Sequence, residues 1–268
     1  MMPRYDLVAM TRRVRNVRKG SLTIRDIVPP SMHATDLYIA VFKPTVALWD
    51  RTAGEVMTAY EATMSELVND AAVDVNSILE RADSELGRLV LLLRPALQAW
   101  ADRLEKWQRA KWTAAVLSGT GVDLSTLIGP EEMRRTVGAT VEWNAALVKD
   151  VSAQARQRIA SAAFDGFRNR TPAREVAKTI RGAVDMSRDR SIRIASDQML
   201  KLSASLADER RRQMGIEEWE WLHSRKLHPR AEHVARNGKI YSDANPPPTM
   251  PGQEPYCACR QRAFLRFE

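Results

Sequence analysis

Along most of this chain apolar residues recur at intervals of three and four, the spacing that aligns side chains on one face of a helix. Downstream of a break at Pro29-Pro30-Ser31, the stretch from Ala34 to Met64 keeps that rhythm. Between Asp83 and Ala114, the residues Leu86, Leu89, Val90, Leu93, Leu97 and Trp100 share a face, which predicts an amphipathic helix that Pro95 should kink or split. Gly119, Gly121 and Asp123-Leu124-Ser125 then predict a loop. Gly129-Pro130-Glu131-Glu132 opens a new helix, because proline is tolerated in a first turn and carboxylates suit the positive end of the helix dipole. That helix is expected to reach Phe167 with a break near Lys149 to Ser152. Another starts at Thr171-Pro172, and a third starts at Ser187 and reaches about Met214, where Gly215 supplies a left-handed cap. In the last of these, Ala195, Met199, Leu202 and Leu206 face one way, and Asp208-Glu209-Arg210-Arg211-Arg212 reads as solvent-facing.

The pattern changes after Gly215. Trp219, Trp221, Ile240 and Tyr241 favour strand, and Asn237-Gly238 signals a tight turn between Val234-Ala235 and Lys239-Ile240-Tyr241. A proline-rich loop from Asn245 to Gly252 leads into Pro255-Tyr256-Cys257-Ala258-Cys259. The expected fold class is mainly α, with extended helical N-terminal and middle regions and a small α+β, loop-rich C-terminal module. The expected division is a basic N-terminal arm (1–30), an N-terminal helical region (31–128), a middle helical region (129–215) and the C-terminal module (216–268).

Composition narrows the classes. With 268 residues, 44% hydrophobic and 28% charged, the chain is neither disordered nor fibrous, and it is long enough to build a core without covalent staples. Its longest aliphatic run, Leu89 to Leu93, falls far short of the roughly 20 residues that cross a bilayer, so no membrane span is expected. Arg4, Arg12, Arg13 and Arg15 interrupt the only apolar stretch near the start, so no signal peptide is expected there. The net charge of +8 and a pI near 9.8 favour polyanionic partners. Seven basic residues against Asp6 and Asp26 concentrate that charge in the first 30 positions, and Arg12, Arg13, Arg15, Arg18 and Lys19 are the candidate nucleic-acid contacts. The alternative is a solvated, frayed terminus without a partner.

Candidate chemistry gathers near the other end. Three of the four histidines, His223, His228 and His233, lie within eleven residues, and the two cysteines follow in the same module. His228 and His233 have a zinc-site spacing, whereas Cys257-x-Cys259 is tighter than the usual pair and would strain a disulfide. A loop-rich module of this size has a small core, and a structural Zn2+ held by His228, His233, Cys257 and Cys259 would supply folding free energy. The other reading is a pair of reduced, partly buried thiols, with the histidines hydrogen-bonded to the turn at Asn237-Gly238. Cysteine, histidine and Glu232 or Asp243 are also raw material for a thiol hydrolase, and histidine with a metal for a nuclease. Phosphate-loop, dinucleotide, nucleophile-elbow and HExxH signatures are all absent from the sequence, and no enzymatic activity is expected.

The order of these elements resembles the phage Mu F-like head-morphogenesis family, the minor head proteins of tailed phages. The resemblance rests on Trp219-Glu220-Trp221, then Arg230-Ala231-Glu232-His233, then Asn237-Gly238-Lys239-Ile240-Tyr241, the proline-rich loop, and Cys257-Ala258-Cys259. Upstream, Arg158-Ile159, Asp165-Gly166-Phe167, Thr171 to Ile180 and Arg193-Ile194-Ala195 are similar to the helices that precede that signature, so the likeness covers about residues 130 to 262. Three positions depart from it. Ser196-Asp197-Gln198 stands where Arg-Thr-Glu is usual, Lys226 where an acid is usual, and Ala258 where arginine is commoner. The lost acid makes His233, Cys257 and Cys259 better ligand candidates than His228. The resemblance implies a non-enzymatic minor capsid protein. It would be made in the host cytoplasm and carried in the virion inside the capsid near the portal vertex. Its implied partners are the portal protein, the major capsid or scaffold protein, and packaged double-stranded DNA. A metal-dependent nuclease or an effector domain delivered with the genome, using His233 as base or ligand, is the competing expectation.

Overall fold

The computed structural model describes residues 5–66 and 71–268. Helix dominates: α1 is Leu7–Arg15, α2 Met32–Leu37, α3 Lys43–Glu66, α4 Ala71–Thr120, α5 Arg134–Asn169, α6 Ala173–Gln213 and α7 Ala231–Arg236. A π-helical turn at Tyr38–Phe42 joins α2 to α3, and a 3-10 turn at Glu131–Met133 leads into α5. The strands are β1 Gly20–Thr23, β2 Glu218–Leu222, β3 Ile240–Ser242 and β4 Arg260–Phe267. No described helix is long and apolar enough to cross a membrane.

Three expected interruptions do not occur. α4 is not split at Pro95, because the carbonyl that proline deprives of a partner belongs to Leu91 on the exposed side, while Val90, Leu93, Leu97 and Trp100 are buried on the opposite face. α5 passes through Lys149 to Ser152 unbroken, with Val148, Val151 and Ser152 all buried. α6 is continuous where a separate helix was expected to begin at Ser187; that residue is buried, and its carbonyl accepts the Ser191 hydroxyl one turn on. The stop after α6 is as expected. Gly215 adopts φ +64° and donates to Arg212 O at 3.0 Å while Ile216 donates to Arg211 O at 3.2 Å, the paired bonds of a Schellman cap.

The chain forms two compact units, and neither follows the expected succession of four regions. One comprises Ala34–Ala99 and Val141–Ala195. Its side-chain contacts read out antiparallel neighbours: Arg51–Glu85 with Arg81–Glu55 for α3 against α4, Asp83–Arg156 with Arg94–Glu142 for α4 against α5, and Asp150–Arg190 with Arg158–Met186 for α5 against α6. In each case one residue number rises as the other falls. The core between these helices holds Trp49, Val56, Tyr60, Val75, Leu79, Ile159, Ala163, Val176 and Ile180, all at most 3% exposed.

The other unit comprises Met1–His33, Trp100–Thr140 and Ser196–Glu268. Among the described residues it carries an antiparallel sheet in the order β1-β4-β2-β3. Residues 5–33 are therefore built into the fold, which departs from the free basic arm expected there. Leu22 pairs with Leu265, and Leu7 and Ile24 share a core with Trp112, Val116, Met214, Ile216, Leu265 and Phe267. The Asp26 carboxylate receives the Arg260 guanidinium at 2.8 Å. In β2 the period-two alternation sends Trp219 and Trp221 inward, while Glu218 and Glu220 pair with Arg266 and Arg262 across the strand boundary at 2.8 and 2.7 Å. Val234-Ala235 is helical, in α7, so Asn237-Gly238 links a helix to β3. The run at 208–212 is also corrected, since Arg210 and Arg211 are fully buried. Arg210 reaches Glu105 at 2.6 Å, and Arg211 reaches Asp243 at 2.6 Å and Asp208 at 2.9 Å.

Candidate metal centre

The site begins with a helix that starts late. On a continuous helix histidines five apart would stand about 140° from one another; here α7 opens only at Ala231 after Pro229, so His233 turns inward and His228 stays exposed in the preceding loop. His228 therefore lies outside the ligand group that was expected to include it. His223 is engaged elsewhere, its Nδ1 accepting the Arg225 amide at 3.1 Å and its own amide donating to Asn237 Oδ1 at 2.9 Å.

His233, Cys257 and Cys259 come together, all at most 3% exposed. The imidazole Nδ1 is 3.5 Å from Cys257 Sγ and 3.6 Å from Cys259 Sγ. A tetrahedral zinc with a Zn–N bond of about 2.0 Å and Zn–S bonds of about 2.3 Å would set nitrogen and sulfur roughly 3.5–3.6 Å apart. The donor set and the spacing thus fit zinc; metal-free, the same separations suit a thiol–imidazole contact. On the other side of the ring, Nε2 lies 3.6 Å from Glu254 Oε2, beyond hydrogen-bond distance but on the side from which an outer carboxylate could approach a metal-binding histidine. Trp221 meets the ring edge-on at 5.1 Å, and Trp219, Trp221 and both cysteines form one buried cluster with Tyr241 and Met250 packed against it.

The thiols share their protons unequally. A hydrogen bond from Cys259 is the largest influence drawing Cys257 below the ordinary thiol range, assisted by backbone N–H groups and by His233 against the opposing cost of burial. Cys259 is correspondingly raised, first by that bond and then by burial. The first proton to leave the pair is thus drawn from Cys257, and Cys259 keeps the other.

Local sequence explains why the cysteines sit where they do. Tyr256 is held at φ +58° by three anchors: its amide donates to Asp197 Oδ1 at 2.6 Å, Lys226 Nζ donates to its carbonyl at 3.0 Å, and Arg230 donates to the Pro255 carbonyl at 3.1 Å. Arg230 also pairs with Glu254 at 2.8 Å. Two residues noted only as departures from the family pattern, Asp197 and Lys226, are thus fasteners of the Cys-x-Cys loop. Glu254 was not expected at the site, and its one signal in the sequence is a carboxylate three residues ahead of Cys257. Gly252, at φ +78°, lets this loop press on α6, where an added Cβ would lie 2.9 Å from Ala204 Cβ.

The expected nucleic-acid contacts sit at one end of α1. Arg12, Arg13 and Arg15 occupy its last turn, Arg18 and Lys19 follow before β1, and all five are exposed. Arg12 donates to the Glu268 carbonyl and Arg15 to Ser118 O at 3.2 Å, so part of this charge caps backbone carbonyls.

Residues 157–262 match the family described as Phage Mu protein F like protein. An uncharacterised protein of Haemophilus influenzae is 28% identical over 169 residues, which is 62% of this chain and 38% of that relative. The chain thus spans well under half of that relative's length. No solved structure matches the chain.

Proposed function

From the match of residues 157–262 to the phage Mu F-like family, we propose that this chain is a structural protein of a tailed-phage head that takes part in head morphogenesis. In this reading it is a minor component carried inside the capsid, meeting the portal protein and the major capsid or scaffold protein during assembly and packaged DNA afterwards. The family match carries the reading, and the burial of the His233, Cys257 and Cys259 cluster supports it. His233, Cys257 and Cys259 point at one another and are sealed from solvent, an arrangement that fastens loops and leaves a substrate no access. We further propose that these three residues bind a structural zinc, with Glu254 orienting His233. When bound, the ion would link α7 to the loop before β4 and so complete a core too small to order itself.

Mass spectrometry of purified particles from a phage encoding the chain tests the role. The protein should be present at a few copies per particle, and deleting its gene should lower the yield of filled heads. Absence from the particles, with normal heads after deletion, would overturn the proposal. Incubating the purified protein with plasmid DNA and divalent metals should leave the plasmid intact. Cleavage lost in a folded His233→Ala variant would favour the nuclease reading instead.

A further inference from the structure

We propose that Arg170, Arg174, Lys178 and Arg181 form a ridge that docks the phosphate backbone of duplex DNA, an inference that rests on the reading of this chain as a head component. In the helical unit several arginines are matched with acids, Arg51 with Glu85, Arg81 with Glu55, Arg94 with Glu142, Arg156 with Asp83 and Arg188 with Asp185, while Arg88, Arg158 and Arg193 are exposed singly without an ion pair to a described residue. The four ridge cations differ from those in being consecutive along one surface. All are exposed, and none has an ion pair with any described residue.

Helix geometry lines them up. At about 100° per residue, Arg174, Lys178 and Arg181 fall within an arc of roughly 60° on α6, with successive steps of roughly 6 and 5 Å along the axis. Arg170 precedes them in the turn between α5 and α6, exposed at φ +49°. The acids nearby are Asp165, which Arg168 occupies, Glu175, and Asp185, which Arg188 occupies where the ridge ends. A row of unmatched cations on a rigid helix is complementary to a row of phosphates, and it reads no base sequence. No large exposed apolar residue lies between Arg170 and Arg181, so the surface lacks the wedge with which an amphipathic helix enters a lipid interface.

The test uses the full chain and a short duplex of random sequence, with affinity followed by fluorescence anisotropy across salt concentrations. Four phosphate contacts correspond to a slope of roughly −3.6 in log affinity against log salt. Replacing Arg170, Arg174, Lys178 and Arg181 with glutamine should flatten the slope by about that amount, and Lys178→Gln alone by about 1, with the thermal midpoint unchanged. A second variant, with Arg12, Arg13, Arg15, Arg18 and Lys19 changed to glutamine, should keep the ridge's share of the slope. A ridge variant that binds like the wild type overturns the ridge, and loss of binding in the second variant would then leave DNA contact standing on α1. If the wild type does not bind duplex, ridge and DNA contact both fall, while presence in particles still decides the head assignment. Preference for vesicles containing anionic lipid, uncompeted by duplex, also overturns the proposal.

Discussion

Arg210 and Glu105 show how costly a single residue can become once it leaves water. Burial is the largest influence on both: it lowers Arg210 to about 10 and raises Glu105, and their mutual attraction offsets it only in part. Breaking such a pair leaves an uncompensated charge inside. Glu105→Ala should therefore cost about 3–5 kcal/mol in urea unfolding, whereas Glu105→Leu with Arg210→Met should cost far less. The same pair fixes a pH dependence. Glu105 has its folded pKa above its unfolded value, so its stabilising contribution is complete below the ordinary value of 4.5 and is lost as pH rises through the folded one. Wild-type stability relative to Glu105→Gln should accordingly fall with rising pH above 4.5, which paired denaturation curves would reveal; a rise would contradict the burial argument. Asp197 acts through geometry, because its carboxylate holds the Tyr256 amide at 2.6 Å next to Cys257. Asp197→Ala should cost about 1.5–3 kcal/mol, the range for a hydrogen bond to a charged group, with Asp197→Asn losing less.

At the scale of elements, β1 matters beyond its length. Its pairing with β4 and the burial of Ile24 tie residues 5–33 to the strand that follows the Cys-x-Cys loop. Ile24→Ala should cost about 2–5 kcal/mol, and hydrogen exchange should show protection lost first in β4, since that strand loses its neighbour. Unchanged β4 protection would contradict this coupling. β1 was not legible in the sequence. Gly20-Ser21-Leu22-Thr23 has no clear alternation, and its partner lies some 240 positions away. The long helices were legible because their periodicity is local, as were β2, from alternating tryptophans, and the cap at Gly215. Their continuity through Pro95, Lys149 to Ser152 and Ser187 was not, because burial on a neighbouring helix decides whether a weak spot breaks. The candidate site divides the same way. Residue type and proximity in sequence indicated His233, Cys257 and Cys259, whereas Glu254 and Asp197 take their roles from contacts made only after folding.

For the molecule as a whole, the Mu F-like stretch from 157 to 262 is not a structural unit by itself. It omits β1, all of β4's pairing with it, and the α4 residues Trp112 and Val116 that share their core. Residues outside the match therefore position the site that lies inside it. In the proposed role that site is a fastening made of a buried imidazole and two thiols. Elemental analysis of the full chain, purified without chelator, tests this most directly. The account predicts one zinc per chain, lost in Cys257→Ser together with order in β2, β3 and the loop before β4, while the helical unit stays folded. Zinc well below one per chain in a protein whose C-terminal sheet is fully ordered would contradict it.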